Sequence, residues 1–219
     1  MPVTFPNEPG EYRARRNELL QAEADLRQRV EDVAQLRREL PQGGTVAEDY
    51  VFDVLDENGT RIKRSMSELF VAGKDTLFLY GFMYGPEMEQ PCPSCSSFID
   101  ALNGNACHIQ ENISIAIVAR SPIERIGEFA AQRGWDRLTF VSSANNSYGK
   151  DYHAESEEGG QLPMANVFQR GKNGIHHFWA SELMFEPFAG DPRHLDMMWP
   201  LWNVLDTTPA GRGEWNPDL

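Results

Sequence analysis

The chain has 219 residues, 41% of them hydrophobic, enough for a sizeable core in one large domain or one domain with an appendage. Its 33 acidic and 20 basic side chains give a formal charge of -13, which repels phosphate backbones and anionic membranes, so no nucleic-acid partner is expected. Three cysteines cannot frame a secreted disulfide scaffold, Met1-Pro2-Val3-Thr4-Phe5-Pro6 is no secretory leader, and no apolar run nears the roughly 20 residues of a membrane span, which predicts a cytoplasmic protein with no membrane partner.

From Glu11 to Leu40 the sequence is charged, with apolar residues at Leu19, Ala22, Leu26, Val30, Val33, Leu36 and Leu40. That three-and-four spacing predicts one long amphipathic helix, ended by Pro41 and Gly43-Gly44. It sets an N-terminal helical extension, 1–44, apart from a main domain, 45–219. The stripe could serve a homodimer; packing on the chain's own domain is the preferred reading.

Tyr50–Leu55 and Thr60–Arg64 flank Asp56-Glu57-Asn58-Gly59, a hairpin signal, and Ser67–Val71 reads as a helical turn. The apolar strand 76–82 then leads through a loop, 83–91, into Cys92-Pro93-Ser94-Cys95. Pro93 suits the first helical turn, where its missing N–H would be unsatisfied anyway, which makes Cys92 the N-cap. There its sulfur meets the free N–H groups of Ser94 and Cys95 and the positive end of the helix dipole, which favour thiolate over thiol. Cys95, one turn in on the same face, can attack a mixed disulfide formed at Cys92 and release the partner. This helix is expected to stop near Asn103-Gly104.

Ile113–Ala119 reads as a buried strand, Ile123–Arg133 as a helix opened by Pro122, and Leu138–Val141 as a further strand, so two βα units feed a mostly parallel sheet. Residues 145–161 read as a surface loop whose Glu155, Glu157 and Glu158 are solvated rather than catalytic. Pro163 precedes a second hairpin, Ala165–Arg170 and Ile175–Trp179, which sends His176 and His177 to opposite sides of the sheet. A last helical region is capped by Asp191-Pro192, kinked by Pro200, and turns Leu195, Met198, Trp199, Trp202 and Leu205 inward.

A zinc site would recruit Cys92, Cys95, Cys107 and His108. Along a continuous helix, however, Cys107 lies about 18 Å from Cys95, far beyond the spacing of sulfurs around one zinc. Cys107 is better read as a small buried side chain. His153 and His194 carry no ligand spacing, and no hydrolase or nucleotide-binding signature occurs. No metal or cofactor is called for.

Several blocks resemble a large bacterial family of thioredoxin-like proteins often labelled predicted dithiol-disulfide oxidoreductases. They are Leu36-Arg37-Arg38-Glu39-Leu40-Pro41, Leu79-Tyr80-Gly81-Phe82-Met83, Cys92-Pro93-Ser94-Cys95-Ser96, Arg133-Gly134-Trp135, Val141-Ser142-Ser143 and Thr208-Pro209-Ala210-Gly211-Arg212-Gly213-Glu214. The likeness spans nearly the whole chain and implies an α/β thioredoxin-like fold in its peroxiredoxin-like elaboration, with a central mixed sheet. It makes Cys92 the nucleophile, Cys95 the resolving cysteine and Pro163 the candidate for the fold's cis-proline. The Leu162 backbone would then turn toward the disulfide to pair with a substrate peptide, joining Pro93 and Ser94 as substrate-binding residues. Where that family usually has histidine before Phe-Met, this chain has Gly81.

These readings converge on a thiol-disulfide oxidoreductase acting on a protein or small-molecule disulfide and recharged by an unidentified thiol reductant. Cys-Pro-x-Cys resembles the glutaredoxin pattern, which implies a less reducing potential than thioredoxin's about -270 mV. A thiol peroxidase is the second choice, because Cys92 falls out of register with the peroxiredoxin loop around Pro86 and Asn166 stands where that family's arginine is expected. A non-catalytic binding or assembly protein is the third.

Overall fold

The computed structural model describes residues 3–182, 195–213 and 216–219, and the chain divides into two compact units, Met1–Pro41 and Gln42–Leu219. The first holds a single helix, α1 (Gly10–Arg38), of the length its spacing predicts. None of its residues is buried, and Leu26 and Leu36 remain 60% and 64% exposed.

The second unit opens with a hairpin, β1 (Val51–Leu55) and β2 (Arg61–Ser65). Its turn needs Gly59, whose φ of 74° lies where side chains are strained, and Asp56 Oδ1 accepts the N–H groups of Asn58 and Thr60. There follow a 3-10 turn (Met66–Leu69), β3 (Thr76–Gly81), α2 (Pro93–Gln110), β4 (Ser114–Ala119), α3 (Ile123–Arg133), β5 (Thr139–Ser142) and α4 (Tyr148–Asp151). A second hairpin, β6 (Ala165–Gly171) and β7 (Gly174–Ala180), precedes a short helix, α5 (Pro200–Leu205).

Among the described residues seven strands form one sheet in the order β2-β1-β5-β4-β3-β6-β7. Strand β4 runs parallel to β3 and β5, and every other pair is antiparallel. Parallel neighbours need a crossover, and α2 and α3 supply the two. Alternation along β3 divides the core. Leu77 and Leu79 join Tyr50, Phe52, Tyr148 and Phe168 on one face. Phe78, Tyr80 and Phe82 pack on the other, with Cys95 and Phe98 of α2 and Ile126 of α3.

Three expectations need correction. Helix α2 passes through Asn103-Gly104 and ends only at Gln110, because Ala106 is fully buried and Ile109 packs on the core; that outweighs the about 1 kcal/mol a mid-helix glycine costs. The supposed loop 145–161 contains α4 and a bridge between Glu155 and Gln161. Pro200 occupies the first turn of α5, where its missing N–H costs nothing, and so starts a helix instead of kinking one. The break in register leaves Met198 39% exposed, while Leu195, Trp199 and Trp202 are buried as expected. Asp191, Pro192, His194 and Glu214 lie outside the described residues.

Candidate active site

Beyond β3 the chain leaves the sheet at Phe82-Met83 and turns back into α2. The Cys92 N–H returns to the Met83 carbonyl at 3.0 Å. Arg125, from α3, sets its guanidinium 4.5 Å from the Tyr84 ring centroid and donates to the carbonyls of Gly85, Pro86, Met88 and Glu89. This clamp was invisible in the sequence, where Arg125 looks like any polar residue on an amphipathic helix.

Cys92 caps α2 as expected, with Pro93 in the first turn, and its Sγ accepts the Cys95 N–H at 3.4 Å. The two cysteines approach to 3.3 Å, both as free thiols. Cys92, Pro93 and Ser94 are half-buried, whereas Cys95 is 2% exposed. The dithiol thus presents one sulfur and seals the other.

Their ionisation is pulled apart. Cys92 is lowered to about 6, first by the Cys95 thiol that donates to it and then, against the cost of burial, by the N–H groups of Cys95 and Ser94. Helix-end amides alone were expected to do this; the neighbouring thiol does more. Cys95 moves the other way, pushed well up by burial and by the hydrogen bond and charge of Cys92. Two donors oppose that rise, the Tyr80 hydroxyl and the Met83 N–H.

Other expected site residues fall elsewhere. Every peptide bond among the described residues is trans, including the one before Pro163. The extended 162–164 segment lets the Met164 carbonyl take the Gly81 N–H at 2.7 Å, continuing the β3–β6 ladder. That register carries Pro163 to the level of Phe82, one residue from the Met83 that anchors Cys92. Leu162 gives its N–H to Ala154 at 2.9 Å, so the donor expected for a substrate peptide is already used.

Asn166 pairs with Leu79, so it lies on the sheet face away from Cys95. It is buried there, donating toward Tyr148 and Tyr152 and bonded to His177 Nε2 at 3.0 Å. His176, on the opposite side as predicted, meets Thr45. Glu155 corrects the solvated reading: it is 8% exposed and paired with Arg120, while Glu157 and Glu158 are exposed. Cys107, expected to be buried, is exposed, because α2 continues and turns that face outward. Among the described residues no group of three or more histidines, cysteines, aspartates or glutamates could hold a metal ion.

A strand, a Cys-x-x-Cys helix and a parallel strand, with an antiparallel hairpin on the far side of the first strand, define a thioredoxin-like α/β protein carrying a dithiol. Over residues 2–218 the sequence matches the family described as bacterial protein of unknown function (DUF899), and the chain belongs to that family. No curated protein matches it in sequence. Among solved structures it is similar to a peroxiredoxin Q mutant of Xanthomonas campestris, at 14% identity and a TM-score of 0.49 over 74% of this chain and 96% of that one. It is also similar to thioredoxin peroxidase I of Plasmodium yoelii, at 16% identity and a TM-score of 0.48 over 81% and 100% of the two chains. A PrxQ mutant of Xylella fastidiosa gives 14%, 0.48, and coverage of 65% and 85%.

Proposed function

We propose that this chain is a thiol-disulfide oxidoreductase with Cys92 as nucleophile and Cys95 as resolving cysteine. The observation that carries the reading is the pairing of a half-buried, helix-capping sulfur, which accepts the Cys95 N–H at 3.4 Å, with the buried thiol of that same Cys95. With Cys92 lowered to about 6, about nine in ten of these groups are thiolate at pH 7. The thiolate attacks a substrate disulfide and expels one thiol; Cys95 then attacks the mixed disulfide and expels the other. Two equivalents of a small-molecule thiol, or one protein dithiol, return two electrons and two protons to the resulting Cys92–Cys95 bridge and leave as a disulfide.

Pro93 and Ser94, half-buried beside Cys92, are the first residues an incoming substrate meets. Leu162 and Pro163 stand at the same end of the sheet, but with the Leu162 N–H given to Ala154 and no N–H on Pro163, they offer a peptide only carbonyl acceptors. Peroxide reduction has less support: Asn166 faces away from the dithiol, and the guanidinium of Arg125 is bound to loop carbonyls.

The test uses Cys92→Ser and Cys95→Ser variants with glutathione disulfide and a model protein disulfide, followed by intact mass. The Cys95 variant is expected to accumulate a mixed disulfide at Cys92, and the Cys92 variant to form none at Cys95 at pH 7. Turnover unchanged by either substitution would overturn the reading in favour of a binding or assembly role.

A further inference from the structure

Between β3 and α2 the chain crosses a loop of no regular structure whose backbone is nonetheless bound along its length. The Cys92 N–H closes it onto the Met83 carbonyl, and the Met88 N–H turns back to the Gly85 carbonyl at 3.2 Å. Ser121 donates its N–H to Tyr84 at 2.9 Å and its hydroxyl to Gly85 at 3.1 Å. Arg125 gathers the rest. Its Nη1 donates to the carbonyls of Pro86, at 3.1 Å, and Gly85; its Nη2 donates to those of Glu89, at 3.0 Å, and Met88. Four carbonyls turned toward one point repel one another, and a planar cation with a fork of five N–H groups satisfies them together. Glu87 and Glu89 are exposed on the same loop, yet the guanidinium binds backbone. It sets the path of the chain.

The far end of that path is stiff. Gln90 and Cys92 each precede a proline, and Pro91 and Pro93 have fixed φ, so the backbone from Gln90 to Pro93 absorbs little displacement. Where Arg125 holds Glu89, it therefore holds Cys92 three residues on. Cys92 has to stay extended, at φ -61° and ψ 122°, for its Sγ to receive the Cys95 N–H. Arg125 is itself fixed on α3 between Ile123 and Ile126, each 1% exposed.

We infer that Arg125 is a positioning residue of the exchange proposed above, its guanidinium fixing the loop whose stiff end seats Cys92 on the N-terminus of α2. The inference rests on that exchange reading. Arg125 acts through the loop backbone and not through contact with sulfur. Once the loop is released, Cys92 moves off the cap, the N–H groups of Ser94 and Cys95 no longer converge on its sulfur, and the thiolate loses their support.

The test follows the pH dependence of Cys92 alkylation, glutathione disulfide turnover and melting in the full chain with Arg125→Ala or Arg125→Lys. Loss of one hydrogen bond to the thiolate is expected to move the alkylation midpoint up by about one unit. The rate then falls about tenfold at about pH 5, below both midpoints, and the deficit shrinks above about pH 8, where both forms are thiolate. Disulfide turnover should fall with the same profile. Lysine keeps the stem and the charge, so the fold is retained, but one ammonium cannot serve both pairs of carbonyls and the same shift is expected. In Arg125→Ala, millimolar guanidinium chloride, far below denaturing strength, should restore the midpoint by filling the vacated fork, whereas methylammonium chloride should not.

Should Arg125→Ala fail to fold, the lysine variant decides. An Arg125→Lys chain that melts like the wild type and keeps its alkylation midpoint overturns the inference. So does turnover lowered equally at every pH with the midpoint unmoved, which leaves Arg125 a support of the fold alone. A wild-type chain that exchanges no disulfide removes the oxidoreductase reading and this role together.

Discussion

Gly81 shows how little space surrounds the end of β3. A Cβ there would sit 3.2 Å from the Ala154 side chain and from the backbone nitrogen and oxygen of Met164. Backbone cannot swing aside as a flexible side chain can, so Gly81→Ala is expected to lower the unfolding free energy by about 1–3 kcal/mol, read as a shift in the urea midpoint. An unchanged midpoint would show that β6 yields freely. At this scale the sequence was informative wherever chemistry depends on neighbours in the chain. Cys92, Pro93 and Cys95 lie within one helical turn, so their roles follow from spacing. Met83 and Arg125 act across the fold, and nothing near them in sequence marks them.

Among the elements, α2 carries the dithiol and is tied to the end of α3 by one carboxylate. Asp100 accepts from Trp135 Nε1 at 2.7 Å and pairs with Arg133. The chain reaches Trp135 through Gly134, whose φ of 69° provides the left-handed cap that ends α3. Trp135 then stacks on Phe140 of β5 with 5.7 Å between ring centroids. Removing Asp100 leaves the indole N–H without that acceptor. Asp100→Ala is expected to cost about 1–3 kcal/mol in equilibrium unfolding, and an unchanged stability would deny the tie. The bounds of α3 were readable because Pro122 and Gly134 punctuate a clean apolar stripe. Those of α2 were not, because Gly104 mimics a stop that only the burial of Ala106 and Ile109 overrides.

For the molecule as a whole, the parallel βα core was legible from alternating strand and helix patterns. The place of the first hairpin was not, since β1 reaches β5 through Asp53 and Ser142, a pairing no local pattern encodes. The dithiol also makes overall stability depend on redox state and pH. Cys92 has a folded value of about 6, below the ordinary free-thiol value of about 8.5. Its contribution is therefore fully present above the ordinary value and is lost as pH falls through 6. Cys95, raised by burial, opposes this only above the ordinary thiol range, where the unfolded chain would ionise it. Between pH 6 and 9 the melting temperature of the reduced protein should thus rise relative to that of the oxidised protein, in which neither thiol titrates. Parallel curves for the two forms would count against a native thiolate. A thiolate favoured in the dithiol form also favours reduction, so the midpoint in a redox titration is expected above thioredoxin's about -270 mV. The most direct test of the account is the pH dependence of iodoacetamide alkylation at Cys92 in the reduced wild-type chain, site-resolved by mass spectrometry. The account predicts a midpoint near 6; one at the free-thiol value of about 8.5 would contradict it.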